Sequence, residues 1–191
     1  NRLGMVINVA HGSEETIQQT VELSTDPVIY THGGFRHFID LPRCISDEAA
    51  KAVAAKGGVI SLQWGSTFNN PKYFNWKHPS GGFVADISKT LGKYQTMTIE
   101  EIDADEAPKL PMVPKSGVPD EYWMGVEQLA KVIDYGVNLV GEDHIGLGSD
   151  FDGGPTLPRE IKDISDYPEM TKALQALGYP EERIRKILGL N

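Results

Sequence analysis

The sequence predicts an α/β fold on a parallel sheet, and three observations predict it. Short apolar, β-branched runs alternate with stretches that carry helix caps and helical spacing, the pattern of strand–helix units. Two of those runs, "VINVAHGS" and "PVIYTHGG", end in a histidine followed by glycine, His11 and His32. A later run, "HIGLGSDFDGG", ends in Asp150 and Asp152 instead. Parallel strands that finish in polar residues carry those residues to one edge of the sheet.

Taken in order, residues 4–10 (GMVINVA) read as a buried strand. Ser13 caps a helix running to about Ser24, with Glu14 and Glu15 in its electropositive first turn. Pro27 introduces a strand over 27–31. Ser46 opens a second helix, "DEAAKAVAAK", with Gly57 suited to its left-handed C-terminal position. "GVISLQW" is the third strand. Residues 121–140 place Val126, Leu129, Ile133, Val137 and Val140 at helical spacing, and "HIGLGS" is the fourth strand. Helices at 168–177, with Pro168 in the first turn, and at 180–188, after Pro180, complete the chain.

Between Trp64 and Glu121 the alternation stops. This stretch of about 65–120 is rich in Pro, Gly, Asn and aromatics, with one short helix expected at 83–92. A connection so long inside an α/β domain is usually functional or disordered, and its aromatics favour a packed excursion over an active face. A doubly wound sheet and part of a (β/α)8 TIM-type barrel both satisfy the alternation. The chemistry favours the barrel, whose reacting groups sit at the C-terminal ends of several strands.

The chain has 191 residues, 40% of them hydrophobic, enough for one domain with a core. A formal charge of −9 argues against nucleic acid as a partner, because no basic cluster is present to displace counterions. Cys44 is the single cysteine, so no internal disulfide forms. No apolar run reaches the roughly 18 residues of a membrane span. The chain opens almost directly into its first strand, without Met, and is expected to be a piece of something longer; nothing in it assigns a compartment.

His11 and His32 are the candidate metal ligands, since neutral imidazole suits zinc and similar ions; capping a helix or bonding a carbonyl is the plainer alternative. Asp150 is the candidate general base for a metal-bound water, with Asp152 as its rival. An Asp before Gly is also ordinary turn chemistry. Arg43, in "DLPRCISDE", follows His32 by 11 residues. A loop arginine near such a site suggests an acidic substrate terminus, because guanidinium clamps carboxylates; a surface ion pair is the competing reading. His37 and His78 read as loop residues, and His144 as structural at the start of a strand.

The phrases "NRLGMVINVAHGS", "PVIYTHGG", "PRCISDEAAKAVAAKGGVISL", "EDHIGLGSDFDGG" and "DISDYPEMTKALQALGYPEERIRKILGLN" resemble the membrane (renal) dipeptidase family. These are zinc peptidases among the amidohydrolase-type barrels. The resemblance runs from first residue to last, apart from the 65–120 insertion, and implies the C-terminal part of one barrel domain. It implies a two-zinc centre, with His11 and His32 binding one metal, Arg43 holding the substrate carboxylate and Asp150 near the attacking water. The implied reaction is hydrolysis of a small dipeptide.

The departures are also informative. The family's His-x-Asp pair, bridging glutamate and a substrate-contacting histidine belong upstream of Asn1, so this chain supplies ligands mainly for one metal. Asn8 stands where the family usually has Asp, "THGG" where it has Ser-His-Ser, and Cys44 where it has Asn. The final "ILGLN" stops before the family's last helix. The implied partners are therefore the N-terminal half of the barrel, in the same or another polypeptide, and the dipeptide; a homo-oligomer is compatible. Two other functions fit the same residues: a non-catalytic protein of this fold, or an amidohydrolase acting on other amides or lactams.

Overall fold

The computed structural model describes residues 1–79, 98, 101, 117–153 and 155–191, with only the main chain of Asp152. Its centre is a parallel sheet of β1 (Ile29–Tyr30), β2 (Val59–Leu62) and β3 (Ile145–Leu147), in the order β1-β2-β3. The register pairs Tyr30 with Ile60 and Ile60 with Ile145. The run predicted as the first strand is shorter than 4–10. It joins β1 through one parallel bridge, Asn8 to Ile29, closed by Ile29 N–H to the Ile7 carbonyl and Val9 N–H to the Ile29 carbonyl, both 2.9 Å. Met5 and Val6 are 68% and 72% exposed, so its leading half has no sheet partner among the described residues.

Strands therefore lie side by side in the order in which they occur along the chain. A doubly wound sheet reverses direction at a switch point, whereas a barrel adds each strand to the same side of the last. The fold is the α/β arrangement of part of a (β/α)8 barrel.

The helices follow their caps. In α1 (Glu14–Leu23), Ser13 accepts from Thr16 N–H at 3.2 Å. In α2 (Asp47–Ala55), Ser46 accepts from Ala49 N–H at 3.0 Å, and Gly57 closes the helix at φ 81°. The buried face of α2 is Ala49, Ala50, Val53 and Ala54, small enough for the helix to lie close to its neighbours. The stretch expected to be irregular from 65 begins with two short helices, α3 (Ser66–Asn69) and α4 (Pro71–Lys77). Asn70 caps α4 by accepting from Lys72 and Tyr73 N–H, a signal hidden in "FNNPKYF". The helix expected at 83–92 lies outside the described residues.

Helix α5 (Val126–Val140) starts five residues later than the spacing suggests, because Asp120–Tyr122 is a separate 3-10 turn. Its inner face is Val126, Leu129, Ala130, Val132, Ile133 and Gly136. Then come α6 (Tyr167–Ala176) and α7 (Glu181–Arg185), the latter running into a π turn to Leu190. The main core joins Ile60, Leu62, Trp64 and Ile145 to Leu129, Ile133, Met170 and Leu174. Each such side chain contributes about 1.5–3 kcal/mol of burial, which fixes the strand ends as a rigid rim.

Candidate active site at the strand ends

The rim is assembled one residue per strand. His11 follows the 7–9 run, His32 follows β1, Gln63 follows β2 and Asp150 follows β3. All four therefore lie at the C-terminal ends. Among the described residues with side chains, His11 and Asp150 are the non-glycine residues with left-handed backbone, at φ 67° and 61°. Such a conformation costs a non-glycine residue about 1–2 kcal/mol, and it turns each side chain back toward the rim.

The two predicted metal ligands meet. His11 Nε2 and His32 Nε2 are 3.0 Å apart, with ring centroids at 5.0 Å in an edge-on arrangement. Two imidazole nitrogens on one tetrahedral zinc, each at about 2.0–2.1 Å, stand about 3.3 Å apart, so the pair is spaced for a shared cation. Burial first, then the Arg43 charge and His32, lower the His11 pKa, while Asp150 opposes them. A lowered pKa keeps the ring neutral, the form that binds metal. Among the described residues no group of three or more His, Cys, Asp or Glu is arranged around a metal, so this pair offers two ligands.

Asp150 is held by a residue that sequence reasoning missed. Gln63 Nε2 donates to Asp150 Oδ2 at 2.9 Å, and Gln63 Oε1 accepts from Gly65 N–H at 3.2 Å. The second bond fixes which end of the amide faces Asp150. Gln63 is 4% exposed, a polar group placed in the core's edge for that contact. Its only sequence signal is a polar residue near the end of the apolar run "GVISLQW". Gly153 completes the cradle: a Cβ there would stand 2.2 Å from Asp150 Oδ1. The loop is anchored by Phe151, packed on Trp64 and Tyr167 at centroid distances of 5.6 and 6.0 Å. The side chain of Asp152 lies outside the described residues.

Arg43 reaches back to β1. Its guanidinium donates to the Tyr30 hydroxyl and to the His32 carbonyl, both at 3.0 Å, and lies 5.9 Å from the centroids of the Tyr30 and Phe68 rings. Tyr30 in turn donates to the Arg43 carbonyl at 2.9 Å. Among the described residues the arginine is thus a braced cation beside His32 rather than half of an ion pair. Gly33 makes room for this: a Cβ there would lie 2.1 Å from the Tyr30 hydroxyl oxygen, which accounts for glycine at that place in "THGG". Burial pushes the Cys44 thiol up to about 11, so Cys44 stays protonated near neutrality.

The remaining histidines stay outside the rim. His37 stacks on Tyr135 at 4.3 Å, His78 ends α4, and His144 Nδ1 bonds the Gly58 carbonyl at 2.9 Å just before β3.

This arrangement has relatives. Residues 1–191 match the family model described as membrane dipeptidase, peptidase family M19. The chain is 27% identical over 188 residues to the dipeptidase ataJ of Aspergillus terreus, covering 98% of this chain and 34% of that one. It is 27% identical to a Klebsiella pneumoniae protein from the pqqA 5' region, covering all of this chain and 54% of its relative. Among solved structures, the probable dipeptidase PvdM of Pseudomonas aeruginosa superposes with TM-score 0.69 at 25% identity, over 98% of this chain and 48% of that one. A Rhodobacter sphaeroides metallopeptidase, liganded with a phosphinate mimic of the dipeptide L-Ala-D-Ala, superposes with TM-score 0.68 at 22% identity, over 98% and 40%. The chain thus spans about half or less of the length of these proteins. With its whole length matched, this chain belongs to the membrane dipeptidase family.

Proposed function

We propose that the chain is part of a metal-dependent dipeptidase in which His11 and His32 bind zinc, Asp150 is the general base and Arg43 anchors the substrate carboxylate. The observation that carries this reading is the meeting of two imidazole nitrogens at 3.0 Å on the strand-end rim that also bears Asp150. The ligand of the Rhodobacter protein supports it, since a phosphinate has the tetrahedral shape of a hydrated peptide carbonyl.

Bound zinc would supply Lewis acidity to the scissile carbonyl and lower the pKa of water. This chain's own groups do the rest. Asp150, with Oδ2 steadied by Gln63, receives the proton of the attacking water and returns it to the leaving amine. Arg43 uses N–H groups beyond its bonds to Tyr30 and His32 to hold the dipeptide C-terminus, fixing how far the scissile bond lies from the histidines. The two imidazoles leave further coordination positions of a zinc for other ligands. Phe68, just after β2, packs near Arg43 and borders the place proposed for the substrate carboxylate.

The test is zinc titration with hydrolysis assays on dipeptides, N-acylated amino acids and lactams. Zinc-dependent turnover with preference for dipeptides is expected. A complete protein holding less than about 0.2 zinc per chain and turning over none of them is non-catalytic, and preference for acylated amino acids or lactams identifies another amidohydrolase.

A further inference from the structure

The ring of His32 sits at the end of a short hydrogen-bonded chain whose polarity can be read atom by atom. Asn8 Oδ1 accepts from Ala10 N–H at 3.0 Å and from Thr31 N–H at 3.4 Å, so this end of the amide is the carbonyl oxygen. Thr31 Oγ1 lies 3.1 Å from the same oxygen and must donate to it. A hydroxyl has one proton. Toward His32 Nδ1, 2.9 Å away, Thr31 can then only accept. Nδ1 therefore carries the ring proton, and Nε2 presents its lone pair to His11 Nε2. In the metal-free pair, His11 must be the donor.

We propose that Thr31, oriented by Asn8, is a positioning residue that presets His32 as a metal ligand, leaving His11 as the partner whose ring proton must move before both rings bind one cation. This rests on the reading of the histidine pair as metal ligands. It also gives Asn8 a role: its uncharged amide oxygen is the acceptor that orients the Thr31 hydroxyl proton. Outer partners of this kind commonly contribute 10–100-fold to metal affinity.

The tautomers are measurable without metal. In 15N-labelled protein at about pH 8, above the ordinary imidazole range, long-range 1H–15N spectra should show His32 protonated on Nδ1 and His11 on Nε2. Thr31→Val should shift His32 toward the Nε2–H form and weaken zinc binding, in competition with a chromophoric chelator, by about 10–100-fold. Thr31→Ser and Asn8→Asp keep an acceptor in place and should preserve both readouts, with circular dichroism checking that each variant folds. Parent protein with His32 protonated on Nε2, or a folded Thr31→Val variant with unchanged tautomer and zinc affinity, overturns the relay alone. Parent protein with the expected tautomers but no zinc binding overturns the proposed function, and the relay's purpose with it.

Discussion

The two ends of β3 hold comparable densities of charge put to opposite uses. At the entrance, Glu142 takes Arg183 Nε and Lys186 Nζ on its two oxygens, and Lys186 also reaches Asp143 at 2.8 Å. Asn191 adds bonds to the Glu142 and Ile145 carbonyls, both at 2.7 Å, so the last helical turns are tied to the strand. Each of these four charges faces its opposite, and the positive-φ backbone beside them is glycine, at Gly141 and Gly189. At the exit, two imidazoles face one another, an arginine is braced beside them, and Asp150 is held by a neutral amide rather than a cation. Two residues of that rim carry left-handed backbone. Charge density alone would not separate the two places. Convergence of like groups, left incompletely neutralised and held under strain, does.

The sharpest way to break the contrast is His11→Gly. Loss of one of the two proposed ligands should lower kcat/KM by at least about 10³-fold, while stability in a denaturant titration stays level or rises by about 1 kcal/mol, because glycine relieves the positive φ. A parallel loss of both would make the exit another structural cluster. Arg43→Ala should cost about 10²-fold or more on dipeptides with a free carboxylate and clearly less on their amides; equal losses would remove the anchoring role. Gln63→Leu should lower kcat by about 10-fold or more with little change in KM, since Asp150 loses its orientation and not its charge.

Glu142→Gln should leave kcat/KM untouched and lower Tm by about 2–4 °C. Its pH dependence sharpens the comparison. Hydrogen bonds from Lys186 and then Arg183 hold the Glu142 carboxyl below its ordinary 4.5. Its stabilisation is thus complete above about pH 4.5 and fades as pH falls through the lowered folded-state value. The Tm gap between parent and variant should be widest near neutrality and close in acid. A gap independent of pH would remove the charge of Glu142 from the clamp.

Local chemistry made much of this legible from residue types. Ser13, Ser46 and Gly57 announce helix ends because capping is a matter of a few adjacent atoms. His11, His32 and Asp150 are legible as strand-end residues because apolar runs stop abruptly at them. Gln63 was not, since its partner lies 87 residues away and only the β2–β3 register brings the two together. Thr31 looked like an ordinary strand residue because its role depends on the direction of a single hydroxyl proton. The first strand was overread: residues 4–6 have a strand's composition, but composition does not supply a neighbour.

Tyr30 and Gly33 constrain how this rim can change by substitution. The tyrosine ring and hydroxyl occupy the volume that any larger residue at 33 would need. A serine there crowds the Tyr30 ring, and a smaller residue at 30 removes a brace from Arg43. The two positions are therefore epistatic, and the route from "THGG" to Ser-His-Ser descends through a weakened intermediate whichever substitution comes first.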